Sequence, residues 1–263
     1  MGMILLSMLM RFYISTWSVQ VLQADVGKVA QWTTDDKMVL NESKTKTMLV
    51  AGKRLHKKMS STSLTVHVDS VEIEQVQSHK LLGVISDTQL NFNEHIDNLC
   101  KKLTQRIAVS KKIRRRLPLD QRILYCNSMI KQTMMYGSSV WVSTSVDNLN
   151  KVFRLQKRAA RVILNADTKA NSVDLFRELN WLPLFHEAMI NQCALVYKRL
   201  NRVCPDYMLE LLKRNIDVRF TERQSRYGSL NLICPKYKRE SEGARTFQVS
   251  ATRFWNSPPN EIN

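Results

Sequence analysis

The hydrophobic positions change their spacing twice along the chain, and each change marks a new kind of element. Val19, Leu22, Val26, Val29 and Ala30 recur at helical spacing, so residues 19–32 predict one amphipathic helix closed by Trp32. Residues 38–40 and 47–50 read as short strands flanking residues 41–46, and a basic loop over residues 52–61 follows. The period then becomes two. Leu64, Val66 and Val68 alternate with polar residues, Asp69-Ser70 supplies a turn, and Val71 and Ile73 resume the alternation, which is the pattern of a β-hairpin. Residues 80–86 (KLLGVIS) read as one near-continuous apolar strand, in which Gly83 leaves room for close backbone approach.

From Asn91 onward the spacing is helical again. Phe92, Ile96, Leu99, Leu103 and Ile107 form an apolar stripe, and Pro118 stops that helix after Leu117. Pro118-Leu119-Asp120 opens a second helix toward Tyr136, with Gly137 as its stop. Ser145 and Asp147 can cap a third, with Leu149, Phe153, Ala160 and Ile163 facing inward and Lys151, Arg154, Lys157, Arg158 and Arg161 facing out. Pro183 begins a fourth, whose predicted inner face is Ile190, Cys193, Tyr197 and Leu200. A short helix after Pro205 ends near Lys213. A strand over residues 230–234 then lies among Arg223, Arg226, Lys236, Lys238 and Arg239, and an aromatic, proline-rich ending at residues 254–259 is expected to pack on the helices. The fold class read from this order is α+β, a small antiparallel β portion followed by a mainly α-helical remainder. Four segments follow: an unassigned apolar start (residues 1–17), residues 18–90, residues 91–168, and a helical region with an irregular basic tail (residues 169–263).

Composition narrows the partners. With 44% hydrophobic residues among 263 the chain can bury one large or two small cores, so disorder is not the default. Forty Lys and Arg against 23 Asp and Glu leave a net charge of +17, a surplus that repels itself unless a polyanion neutralises it. Nucleic acid is the leading partner on charge alone; a membrane surface, a ribosome or plain solvated helices would use the same charge. Cys100, Cys126, Cys193, Cys204 and Cys234 are scattered singly, which supports neither a zinc site nor a disulfide framework and fits the cytosol or nucleus. The apolar start MGMILLSMLM is about half the length of a membrane-spanning helix, so no membrane partner is expected.

Candidate chemistry is sparse. Polymerisation of nucleotides needs two carboxylates on adjacent strands to hold two metal ions. Asp35-Asp36 is the one adjacent pair, and it follows a helix rather than an apolar strand, which reads as a solvated helix end. Asp87 has no second carboxylate placed beside it and reads as a lone surface residue. His56, His67, His79, His95 and His186 are not spaced as metal ligands, and no phosphate-cradling glycine loop occurs. No cofactor or metal is therefore assigned to this chain. The informative feature is a basic run, Lys101, Lys102, Arg106, Lys111, Lys112, Arg114, Arg115 and Arg116, on one predicted helix without an intervening acid. Like charges at this spacing disfavour a helix unless a ligand supplies the opposite charge, and such a face can track a phosphate backbone. A merely solvated face is the alternative. Lys151, Arg154, Lys157, Arg158 and Arg161 repeat the pattern on the third helix.

Several short signatures occur in a fixed order: Leu22-Gln23 through Trp32, Leu40-Asn41-Glu42-Ser43-Lys44-Thr45-Lys46, Lys80-Leu81-Leu82-Gly83-Val84, Asn91-Phe92 with His95-Ile96, Tyr136-Gly137-Ser138 with Val140-Trp141, Leu155-Gln156-Lys157-Arg158-Ala159-Ala160-Arg161, Trp181-Leu182-Pro183-Leu184, and Phe254-Trp255-Asn256. Together they resemble the distal part of the reverse transcriptases of non-LTR (LINE, jockey-like) retrotransposons, from the last palm strands through the thumb and C-terminal region. The resemblance implies that residues 18–90 are a palm remnant and residues 91–168 a helical thumb. It further implies that Lys44 lies near the incoming triphosphate, that Leu82 and Gly83 position the primer end through their backbone, and that the basic helices hold the template–primer duplex. In the intact family enzyme magnesium serves an aromatic-x-Asp-Asp turn, whose position falls at or before Met1 here. The expectation is a fragment of an RNA-directed DNA polymerase that binds RNA, an RNA–DNA hybrid or DNA but does not polymerise alone, with the missing N-terminal polymerase half as a further partner. The alternative is a domesticated or split-enzyme nucleic-acid-binding module.

Overall fold

The computed structural model describes residues 18–52, 65–214, 232–237 and 246–257. The segments at residues 1–17, 53–64 and 215–231, and with them the apolar start, most of the basic loop, Leu64, Arg223 and Arg226, lie outside the described residues, as do Lys238, Arg239, Pro258 and Pro259. The chain divides into two units, Met1–Phe92 and Asn93–Asn263. Helices and small antiparallel sheets are both present, so the fold is α+β.

In the first unit, helix α1 (Ser18–Asp35) runs one turn beyond the Trp32 stop. It buries Val26 against Val66, Val68 and Ile73, with Leu22 and Leu40 at the margin. The last three of that buried set come from a hairpin formed where the alternation predicted one. Strand β1 (His67–Val68) pairs antiparallel with β2 (Val71–Glu72), Val68 opposite Val71. Asp69 and Ser70 turn between them at φ 46° and 70°, the left-handed pair that a two-residue hairpin requires. The outer edge of β1 is covered by a side chain: Gln23 donates to the His67 carbonyl at 2.9 Å and accepts from its N–H at 2.9 Å.

Three expectations fail in this unit. Residues 38–40 and 47–50 are not strands; Thr47 makes a single parallel bridge to Gln75, and Glu42–Lys44 form a 3-10 turn. Asn41 dictates this, because its side chain accepts from the Lys44 N–H at 3.0 Å and from the Ser43 hydroxyl at 2.7 Å, drawing the backbone into local bonds. The KLLGVIS segment is not one strand but a second hairpin, β3 (Ser78–Leu81) paired with β4 (Val84–Asp87), Leu81 opposite Val84. Leu82 and Gly83 are its turn, at φ 47° and 87°. Asp87 is not a lone surface acid. Its carboxylate accepts from the backbone N–H of Gln89 (2.9 Å), Asn91 (3.1 Å) and Phe92 (2.7 Å), and so shapes the loop that ends the unit.

The second unit is helical. Helix α2 (Asn93–Ile113) buries Ile96, Leu99, Leu103 and Ile107 as the stripe predicted, together with His95 and Ser110. It stops before the arginine triplet, so Arg114, Arg115 and Arg116 lie in the following turn and not on the helix. Helix α3 (Leu119–Tyr125) passes through a π-turn (Cys126–Lys131) into α4 (Gln132–Met135). Gly137, at φ 62°, reverses the chain into α5 (Ser138–Trp141). There Trp141 is fully buried, donating to the Tyr136 carbonyl at 2.8 Å with its ring 6.0 Å from that of His95.

Helix α6 (Val146–Leu164) is capped by Ser145 as expected, and Asn165 at φ 53° ends it. Its innermost residues are Asn148, Val152, Gln156, Ala159, Ala160 and Ile163; Leu149 and Phe153 are only half-buried. Ala160 and Ile163 face inward as expected, and Asn148 and Gln156, to which the spacing assigned no side, join them because both find partners inside. Helix α7 (Ser172–Glu178) packs Phe176 edge-on against Phe153, centroids 6.0 Å apart. Helix α8 (Leu184–Leu200) buries Leu184, Ala188, Gln192, Val196 and Arg199. Ile190 and Tyr197, predicted to face inward, are 53% and 61% exposed. This helix is apolar on nearly all sides, so apolar spacing alone did not fix which side packs.

Helix α9 (Asp206–Leu211) follows Pro205 as expected. The predicted strand is represented by an antiparallel bridge from Leu232 to Arg214. The aromatic ending is a helix, α10 (Phe247–Asn256), whose Phe254 stacks edge-on with Phe185 at 5.8 Å. Val196, Leu212, Leu232 and Ala251 form a common core there with Trp255 and Phe247 against it. No described helix is long and apolar enough to cross a membrane.

Candidate nucleic-acid interface

The buried stripe of α2 fixes where its cations point. With 3.6 residues per turn, Lys101 and Lys112 lie opposite Leu99, Leu103 and Ile107, and Lys102 and Lys111 flank them on either shoulder. All four lysines are exposed. Arg115 and Arg116 are exposed in the turn beyond, and Arg114 is half-buried. Arg106 differs: its guanidinium donates to the Met129 carbonyl and the Thr133 hydroxyl across the bundle.

Helix α6 brings the second set alongside. Asn148 donates to Asn93 at 2.7 Å across 55 residues, and Lys151 meets Asp97 at 3.0 Å across 54. The near-constant offset means that α2 and α6 run parallel and in step. It sets Arg154 beside Cys100 and Arg158 beside Thr104, flanking Lys101, so the exposed sides of the two helices join in one cationic strip. Arg154 and Arg158 are exposed on it. The other two members of the predicted set turn away: Lys157 lies 4.3 Å over the Phe153 ring, and Arg161 donates to the Ala170 carbonyl at 3.1 Å.

Charge on the strip is unbalanced. Of the predicted cations, Lys151 alone forms an ion pair with a carboxylate among the described residues, and both its side chain and that of Asp97 are about half exposed, at 42% and 57%. His95 adds no positive charge, because burial, reinforced by the Lys102 ammonium, holds its pKa below the ordinary value. Burial likewise raises the Cys100 thiol, with the Asp97 carboxylate adding to it while Lys151 and Arg154 oppose it. Cys126, enclosed beneath the π-turn, is pushed up to about 12 by burial and is no nucleophile.

In the first unit Lys44 is exposed at the end of the 3-10 turn, and Leu82 and Gly83 form the tip of the β3–β4 hairpin, Leu82 being 50% exposed. Asp35, Asp36 and Asp87, the carboxylates weighed from the sequence, are each placed apart from a shared metal position. Asp35 and Asp36 are exposed at the end of α1, Asp35 accepting from Gln31 at 3.0 Å, and Asp87 is occupied by three backbone N–H groups. Among the described residues no group of three or more His, Cys, Asp or Glu is placed to hold a metal ion.

Sequence reasoning missed the polar residues that hold these elements in place. Gln156 donates to the Leu182 carbonyl and accepts from the Leu184 N–H, both at 2.9 Å, and so clasps the Trp181–Leu184 corner against α6. Arg122 donates to the Ile163 carbonyl at 2.6 Å, Asn191 to the Ser138 hydroxyl at 3.1 Å, and Asn256 makes reciprocal bonds with the Leu232 backbone at 3.0 and 2.7 Å. The available signal was a lone amide within an apolar face, as at Gln156.

No protein-family model and no solved structure matches the chain. Curated proteins do. It is 22% identical over 163 residues to a probable RNA-directed DNA polymerase from transposon X-element of Drosophila melanogaster, a match covering 61% of this chain and 17% of that protein. It is 26% identical over 132 residues to the RNA-directed DNA polymerase from mobile element jockey, covering 49% of this chain and 14% of the relative. For a probable RNA-directed DNA polymerase from transposon BS the identity is 24% over 128 residues, 47% of this chain and 14% of the relative, both again from D. melanogaster. The matched stretch is thus a small part, 14% to 17%, of each relative's length. Over about half its length the chain is similar to the RNA-directed DNA polymerases of non-LTR retrotransposons, the family to which its motifs pointed.

Proposed function

We propose that this chain is a duplex-holding part of a retrotransposon reverse transcriptase, that the α2–α6 strip binds RNA–DNA hybrid or DNA through phosphates, and that residues 1–263 alone do not extend a primer. The observation that carries the binding reading is the strip itself: two parallel helices expose Lys101, Lys111, Lys112, Arg154 and Arg158 along one seam, where Lys151–Asp97 is the single ion pair among the described residues. Such a surface releases counterions when it meets a polyanion, and contacts to phosphate carry no sequence information, so the binding proposed is to the backbone of the duplex. The reading without polymerisation rests on the carboxylates, since the one adjacent Asp pair of the sequence sits at an exposed helix end.

Binding of a labelled RNA–DNA hybrid over a range of salt concentrations tests the first part. The logarithm of affinity should fall steeply with the logarithm of salt, and each of Lys101→Gln, Lys112→Gln and Arg158→Gln should reduce that slope by about one. Affinity that stays level between low and moderate salt removes the proposal. Primer extension on an RNA template with Mg²⁺ or Mn²⁺ tests the second part; no incorporation is expected from the chain by itself, and incorporation by purified protein refutes it. A polymerase half carrying the aspartates is the protein partner this function requires.

A further inference from the structure

One member of the basic run has a different employment from its neighbours. Arg106 lies on the flank of α2 that faces the α3–α4 helix, and that helix is irregular where it meets it. In the π-turn the Gln132 N–H reaches back to the Asn127 carbonyl, one residue farther than in an α-helix. The widened turn keeps Cys126, Ile130 and Met134 buried in one column. It also lines up the adjacent column, Tyr125, Met129 and Thr133, under α2. All three of these residues engage Arg106: the Tyr125 hydroxyl donates to its backbone carbonyl at 3.4 Å, while its guanidinium donates to the Met129 carbonyl and the Thr133 hydroxyl. Thr133 in turn donates to the same Met129 carbonyl at 2.9 Å. Just beyond that column Lys131 pairs with Glu187 of α8 at 3.1 Å, so the bulged helix is tied on both flanks.

We propose that Arg106 is a positioning residue and not a phosphate contact: it locks α2 onto the π-turn of the neighbouring helix and thereby fixes the line along which Lys101, Lys111 and Lys112 meet Arg154 and Arg158. The proposal rests on the duplex-binding function of the strip. Both acceptors meet one terminal nitrogen, Nη1, which the rigid planar guanidinium holds one bond farther from the α2 backbone than a lysine ammonium sits. The π-turn is then the receptor for a side chain and not a defect of the helix.

Two measurements on the full chain separate this from a direct role. Affinity for a mixed-sequence RNA–DNA hybrid is determined across salt, and amide hydrogen exchange is followed over residues 126–135. Arg106→Gln should weaken binding roughly threefold to tenfold at every salt while leaving the salt slope at its wild-type value, and should speed exchange in the π-turn. Thr133→Val, which removes one acceptor and keeps every charge, should give a milder form of the same pair of changes. Arg106→Lys should keep the charge without restoring either the affinity or the protection. Lys112→Gln is the contrast, with a slope reduced by about one and exchange unchanged. A slope reduced by about one in Arg106→Gln with exchange unchanged overturns the proposal, as does full recovery in Arg106→Lys. Should Arg106→Gln fail to fold, Thr133→Val decides: unaltered affinity and exchange in that variant refute the proposal. Should the wild-type chain bind no hybrid at all, the duplex-binding function falls, and exchange alone reports whether Arg106 holds the turn.

Discussion

Gln156 illustrates what the polar residues of the short signatures do. It lies between Leu155 and Lys157 in a basic, helix-forming stretch, yet it is buried and spends both ends of its amide on the backbone at Leu182 and Leu184. Asn41, Ser138 and Asn256 behave alike, each bonding a neighbouring element or turn. Gln156→Leu would leave a carbonyl and an N–H without their partners in a closed corner, a loss of about 2 to 4 kcal/mol, measurable by urea denaturation. Gln156→Glu keeps the acceptor for Leu184 and should lose part of that. Outward charges such as Arg154 and Arg158 were legible in the sequence because polar residues at helical spacing default to solvent. Gln156 and Asn148 were not, because the same default misplaces any amide that finds its partner inside.

At the level of elements, hairpins show what spacing can and cannot reveal. The β1–β2 hairpin was legible because alternation stops at Asp69-Ser70, two residues that tolerate a left-handed turn. The β3–β4 hairpin was hidden because Leu82, a residue that disfavours φ of 47°, occupies the first turn position and makes the run look continuous. Leu82→Asn should stabilise the first unit by about 1 kcal/mol in thermal or denaturant unfolding, since Asn relieves the left-handed strain ahead of Gly83 and Leu82 is half exposed. A loss of stability would show that the leucine side chain packs productively where it is. Helix boundaries set by Pro118, Gly137, Ser145 and Pro183 were legible from the capping and breaking residues themselves. The packed side of α8 was not, and only its neighbours decide it.

For the molecule as a whole, a net charge of +17 is the dominant electrostatic fact, and the ion pairs formed among the described residues are exposed or half-buried contacts that offset little of it. Any polyanion that binds the folded chain better than the unfolded one must raise its melting temperature. A short hybrid duplex at saturating concentration should therefore raise Tm at low salt, the increment shrinking as salt is added, while an uncharged crowding agent at equal mass should give little change. A duplex-induced rise that is indifferent to salt would count against phosphate recognition. The joint direction of α2 and α6 has a separate consequence. Antiparallel neighbours cancel their amide dipoles, but in this parallel pair both positive ends gather near Asn93 and Val146 and both negative ends near Ile113 and Leu164. Acids cluster at the first end, in Glu94, Asp97 and Asp147, and arginines at the second, in Arg114, Arg115, Arg116 and Arg161, so side chains complement the summed dipole at each pole. The seam thus has direction as well as sign, carboxylates gathering at one pole and arginines at the other.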